Sequence, residues 1–172
     1  MHSAIERLKR AITAKEKTWV FGDYDVDGAT SSAVLFRFFR DIGTKINFYI
    51  PDRPTEGYGP TVSAIDTIMS DGAEVMIAVD CGTTAVEALA HAKKNGLDVI
   101  VLDHHVAESA LPTTTSLVNP NRVDDKSHYS YLAAVGVTFV TIVALNRELR
   151  DSGVYDSIGS DRKSVVEGKS VD

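Results

Sequence analysis

The residues Phe21-Gly22-Asp23-Tyr24-Asp25-Val26-Asp27-Gly28 constrain this chain most, because three carboxylates at alternate positions follow the apolar run Trp19-Val20-Phe21. Alternate side chains of an extended strand share a face, so Asp23, Asp25 and Asp27 are expected to converge near a strand end. Like charges so close must take up protons or bind a cation, and a divalent metal is the simplest counter-charge. The same letters open an EF-hand loop, but its twelfth position requires a bidentate Glu and is Val34 here. The segment before Asp23 also reads as a strand, where an EF-hand needs a helix. After Gly28, the small polar residues Thr30, Ser31 and Ser32 lead into a largely apolar helix. The unit is strand, acidic loop, helix. In an open parallel sheet that junction lies at the carboxyl end of a strand, where ligands bind and helix N-termini offer N–H groups to anions.

The same layout recurs downstream. Apolar runs predict strands over 18–23, 45–50, 74–79, 98–102 and 116–118. Helical periodicity predicts helices over 3–17, 29–41, 61–71, from just after Thr84 to Lys94, and 131–150. Prolines and glycines between Pro51 and Pro60 predict a loop without regular structure, of the kind that often carries function. Strands alternating with helices imply an α/β fold: a doubly wound, mainly parallel five-stranded sheet with helices on both faces.

That topology gathers Asp25, Asp27, Asp80, Asp103, His104 and His105 along one rim, although some eighty residues separate the first from the last. One Asp after a strand is an ordinary turn former, but acids after three strands point to a site. Carboxylates with imidazoles suit Mn²⁺ or Mg²⁺ better than a Ca²⁺ cage or a thiolate Zn²⁺ site. The donors suffice for two ions about 3.5 to 4 Å apart, clamping the oxygens of a phosphoryl centre. Gly82 allows close backbone approach, and Thr83 or Thr84 can cap a helix start that holds a phosphate or orients a carboxylate. Arg53 and Arg122 are candidates for phosphate or DNA contacts, or else form structural ion pairs. Tyr58 either stacks on a base or packs its loop. Cys81, following a strand-end acid, reads as packing rather than as a nucleophile.

Composition narrows the class. With 172 residues, 44% of them hydrophobic and 24% charged, the chain supports one ordinary core. No apolar run approaches the ~20 residues of a membrane span, and the N-terminus lacks the apolar stretch of a signal peptide. A lone Cys81 excludes an internal disulfide framework. These features predict a cytoplasmic protein. A net charge of −6 argues against a broad basic surface for duplex DNA but leaves room for a narrow positive groove.

Six stretches carry a family resemblance: Gly22 to Gly28, Glu56-Gly57-Tyr58-Gly59-Pro60, Val79-Asp80-Cys81-Gly82-Thr83, Leu102-Asp103-His104-His105, Val118-Asn119-Pro120-Asn121-Arg122 and Leu132 to Val137. Together, from about residue 15 to 155, they resemble the DHH phosphoesterases, and in particular the branch that degrades single-stranded DNA from its 5′ end. The resemblance implies a metal-dependent phosphodiesterase of DNA repair and recombination, with single-stranded DNA as partner. It implies that Asp25, Asp27, Asp80, Asp103 and His104 hold or bridge the metals, His105 lies against the metals or the phosphate, and Asp23 orients the loop or a ligand. Many relatives carry His where Phe21 stands, which removes one nitrogen donor. Residues 1–155 then form the family domain, without its fourth motif or second domain, and 156–172 read as an unstructured or foreign tail. Two further readings stand beside the exonuclease: a phosphoesterase of oligoribonucleotides, cyclic dinucleotides or pyrophosphate, and a non-catalytic metal- or DNA-binding fragment.

Overall fold

The structure, a computed structural model, describes residues 1–108 and 110–158. Five parallel strands form one sheet: β1 (Thr18–Gly22), β2 (Ile46–Tyr49), β3 (Val75–Val79), β4 (Asp98–Leu102) and β5 (Ser116–Val118). Their order is β2-β1-β3-β4-β5, as expected for a doubly wound sheet. The chain winds outward from β1 to β2, then crosses back to β3 and continues the other way. The reversal lies between β1 and β3, and in such sheets the crevice outside the strand ends opens at that point.

Both faces of the sheet are covered, and the period of two in the strands decides what meets what. Val20, Val75, Ile77, Val79, Ile100 and Leu102 point to the face packed by α1 (His2–Ala14), α2 (Val26–Asp41) and α6 (Ala134–Asp151). Phe21, Met76, Ala78, Val99 and Val101 point to the opposite face, packed by α4 (Val62–Ser70) and α5 (Val86–Lys94). β3 is buried at every residue because it is central and sandwiched on both sides. At the amino ends of the strands, buried Arg7 of α1 meets Asp98 at 2.5 Å and Glu16 at 2.5 Å, tying the first helix to β4.

The loop after β2 contains a single helical turn, α3 (Arg53–Glu56), because Pro54 sits in the first turn, where no amide hydrogen is needed. α7 (Val154–Ile158) carries helix past residue 155, and 159–172 of the expected tail lie outside the described residues. Among the described residues, no helix is long and apolar enough to cross a membrane.

Candidate metal centre

The register of the sheet builds the site. Gly22 pairs with Val79, Val79 with Leu102, and Leu102 with Val118, so the next residues of these strands, Asp23, Asp80, Asp103 and Asn119, fall in one row. Backbone bonds extend that row past the last formal pair: Asp23 N–H to Val79 O (3.4 Å), Asp80 N–H to Leu102 O (3.0 Å) and Asp103 N–H to Val118 O (3.1 Å). Three acids from three adjacent strands are thereby held one strand spacing apart.

The first acidic loop converges differently from the expected alternation. The extended chain ends at Asp25, the N-cap of α2, whose Oδ1 accepts the Gly28 N–H at 3.0 Å. A helical turn, rather than strand pleating, then carries Asp27 to the cleft, 3.9 Å from His104 Nε2. Gly28 permits this turn, since a Cβ there would overlap the backbone of Asp23. The capping N–H holds the Asp25 carboxyl below its ordinary range. Asp23 is buried, and burial raises its carboxyl.

Asp80 is the centre of the cluster. It is 1% exposed and adopts a left-handed backbone, φ +60°, a conformation that Asp tolerates better than most residues. Among the described residues neither carboxylate oxygen receives a hydrogen bond, and the nearest ring nitrogen, His104 Nε2, stands 3.3 Å from Oδ1. Burial, then the neighbouring acids Asp25, Asp27 and Asp103, push its carboxyl up to about 8. Donor atoms of Asp23, Asp25 and Asp80 lie within 4.8 Å of one another, and so do those of Asp80, His104 and His105. Asp80 belongs to both groups. Two buried oxygens that accept no hydrogen bond, ringed by acids and imidazoles, suit a hard or borderline divalent cation.

Asp103 does something else. Its Oδ1 accepts the backbone N–H groups of His104 (2.7 Å) and His105 (3.2 Å) and contacts His105 Nδ1 at 2.7 Å, while Oδ2 accepts the Thr83 N–H at 3.0 Å. Burial works to raise this carboxyl, but bonds from Thr83 and His105 outweigh it and lower it. Of the residues expected to touch substrate, Thr83 is buried and spends its N–H on Asp103 and its hydroxyl on Asn119. Gly82 has φ +105° and would press a Cβ against Val101, so its role is steric. Arg122 is engaged by Asp124 and the Leu117 carbonyl, the structural alternative. Arg53 remains at the rim with its guanidinium 4.6 Å over the Tyr24 ring. Phe21 stacks on Tyr49 within the core, and the thiol of Cys81 is fully buried and raised by burial.

Three further residues contribute: Tyr58, expected to stack on a base or pack its loop, and Asn119 and Asn121, which carry no role assigned from sequence. Tyr58 donates its hydroxyl to the Asp80 carbonyl (3.1 Å) and reaches His105 Nδ1 at 3.2 Å. Asn119 holds the His105 carbonyl at 2.8 Å, and Asn121 holds that of His104 at 2.5 Å. Counting one residue past the end of β5 would have put Asn119 in the row of acids.

Comparison with known proteins agrees with this fold. The family described as DHH family, N-terminal domain, matches residues 17–159. The single-stranded-DNA-specific exonuclease RecJ of Bacillus subtilis is 41% identical over 151 residues, 88% of this chain and 19% of that protein. The Escherichia coli RecJ is 36% identical over 157 residues, 91% of this chain and 27% of that protein. The chain thus spans about a fifth to a quarter of the length of these relatives. A crystal structure of exonuclease RecJ bound to manganese superposes with a TM-score of 0.76 at 32% identity, covering 85% of this chain and 37% of that one. RecJ from Thermus thermophilus in complex with Mn²⁺ gives 0.70 at 28% identity, covering 85% and 20%.

Proposed function

Because the chain belongs to the DHH family, we propose that it is the metal-binding part of an exonuclease that hydrolyses single-stranded DNA from the 5′ end. The observation that carries the reading is Asp80: a buried carboxylate with no hydrogen-bond donor on either oxygen, shared between two groups of potential ligands. Asp23, Asp25 and Asp80 would hold one ion, and Asp80 with His104 and His105 a second, with Asp27 beside His104. Mn²⁺ suits this mixture of carboxylate and imidazole, and Mg²⁺ suits the all-carboxylate group. Such ions, once bound, supply Lewis acidity toward a phosphodiester and an activated water.

The remaining work falls to the protein's own groups. Burial and the neighbouring acids raise the Asp80 carboxyl, so a cation bound there would take the place of its proton. Asp103 orients the His105 ring rather than binding metal with its own oxygens, which already accept four contacts. Arg53, braced on Tyr24, offers a fixed positive charge at the rim for a phosphate. The setting we infer is the cytoplasm, in DNA repair and recombination, where the unpaired Cys81 stays reduced.

The test is release of nucleoside 5′-monophosphates from 5′-phosphorylated single strands in Mn²⁺, by this chain and by a version continued to the length of its relatives. Single strands should be consumed and duplexes spared, with loss of activity in chelator. Preference for a cyclic dinucleotide or pyrophosphate over DNA would replace this reading with that of a small phosphoesterase.

A further inference from the structure

The loop that follows β2 crosses the end of β1 to reach the end of β3, since β1 lies between those two strands in the sheet. Three side chains mark its course. Glu56 accepts the Tyr49 hydroxyl at 2.5 Å and the Asp52 N–H at 2.8 Å, which ties the loop to β2. Arg53 lies over Tyr24 in the acidic loop after β1, and Tyr58 donates its hydroxyl to the Asp80 carbonyl after β3. Gly57 and Gly59, with φ +83° and +75°, flank Tyr58 and let the chain turn on either side of it.

The Tyr58 bond falls where the backbone is least able to hold itself. Asp80 has φ +60° and Gly82, two residues on, has φ +105°, so the turn leaving β3 takes a positive φ twice in three residues. An aspartate in that region is strained and persists only where its surroundings hold it. The peptide groups on both sides of the Asp80 Cα are held: the N–H by the Leu102 carbonyl at 3.0 Å, the C=O by Tyr58 at 3.1 Å. Fixing two planar peptide groups fixes the φ and ψ between them, and with these the direction of the Cα–Cβ bond. We propose that Tyr58 is a positioning residue whose hydroxyl holds the Asp80 backbone in its left-handed form and so aims both carboxylate oxygens into the acidic cluster. The backbone lock stands on the hydrogen bonds alone; that the aimed carboxylate serves a metal rests on the nuclease reading.

The experiment compares Tyr58→Phe with the parent in two measurements. Backbone ¹³C and ¹⁵N NMR shifts of Asp80 and Cys81 in the metal-free chain report the Asp80 dihedrals and the bond on its carbonyl, and Mn²⁺ calorimetry reports the site. Tyr58 is 47% exposed, so losing its hydroxyl leaves the core intact, and Phe keeps the ring that stands edge-on to His105 at 5.7 Å. Tyr58→Phe should move the Asp80 and Cys81 shifts away from the left-handed pattern and weaken Mn²⁺ binding about tenfold, a loss typical of an orienting partner. The hydroxyl also lies 3.2 Å from His105 Nδ1, so the comparison is repeated in a His105→Ala background, where the same factor is expected. Tyr49→Phe cuts the loop's bond to Glu56 but leaves Tyr58 in place, and should keep the affinity of the parent. Unmoved Asp80 shifts in Tyr58→Phe, a Mn²⁺ affinity equal to the parent's, an effect that vanishes without His105, or an equal loss in Tyr49→Phe overturns the proposal. If the shifts move as expected but the parent itself binds no Mn²⁺, the lock stands and the nuclease reading falls.

Discussion

Asp80→Asn separates the cost of the cleft from its use. Asp80 is 1% exposed, both its oxygens lack donors, and burial followed by its acidic neighbours raises its carboxyl to about 8. Asparagine matches its volume, tolerates the φ of +60° and can donate to Asp25, so the substitution removes a charge and little else. In the unfolded chain an Asp titrates near ~3.9. Between that value and about 8 the folded, metal-free protein holds a proton that the unfolded chain has released. The parent therefore loses stability as pH rises through this window and levels off above it. Near neutral pH the gap is about three units at ~1.4 kcal/mol each, so roughly 4 kcal/mol is the ceiling. Relaxation and water entry lower it, and Asp80→Asn should gain about 1–3 kcal/mol in chelator. Urea unfolding followed by circular dichroism reads this directly: the advantage of the variant grows from about pH 5 to 8 and then holds. Saturating Mn²⁺ should reverse the order, stabilising the parent by ~3–4 kcal/mol at 100–1,000 times its dissociation constant. A variant no more stable than the parent in chelator, or stabilised equally by Mn²⁺, refutes the reasoning.

Other changes probe the parts around it. Asp25→Ala and His104→Ala should each weaken Mn²⁺ binding by at least ~10-fold in calorimetry, since loss of an orienting residue alone costs that much in metal sites. Gly28→Ala would drive a methyl group into the Asp23 backbone, so its melting temperature should fall by the equivalent of about 1–3 kcal/mol, with metal affinity falling alongside. Arg7→Met strands the buried end of Glu16 and removes one of the three side-chain partners of Asp98, at a cost of about 2–4 kcal/mol in denaturant unfolding. Burial tends to raise the Asp98 carboxyl, but bonds from Arg7 and Thr115 prevail and lower it. Its contribution is thus present above the unfolded value of ~3.9 and lost as pH falls through the lower folded one, so the penalty of Arg7→Met should shrink in acid.

The sheet was legible because β1, β3 and β4 are apolar runs that stop at acids, and burial on both faces leaves such runs few alternatives. α3 escaped because composition flagged Pro54 as a breaker, whereas the first turn of a helix accepts it. α6 begins at Ala134 rather than 131, Leu132 before it donating its N–H to the Tyr129 carbonyl. The acids themselves were visible, but their division of labour was not. Asp23, read as an orienting group, lies beside Asp25 and Asp80, while Asp103, read as a ligand, accepts amide N–H groups and meets an imidazole. Which way a carboxylate spends its lone pairs depends on neighbours from other strands, and no local pattern encodes that.

The ion pairs of Arg7 with Asp98 and Glu16 lie at the opposite end of the strands from Asp80, about five residues or roughly 16 Å away. One end of the sheet therefore works as ballast and the other as tool. Because the two share no side chain, substitutions that strengthen the ballast could carry a harsher cluster of charge at the working end, and selection could retune the chemistry while leaving the anchorage untouched.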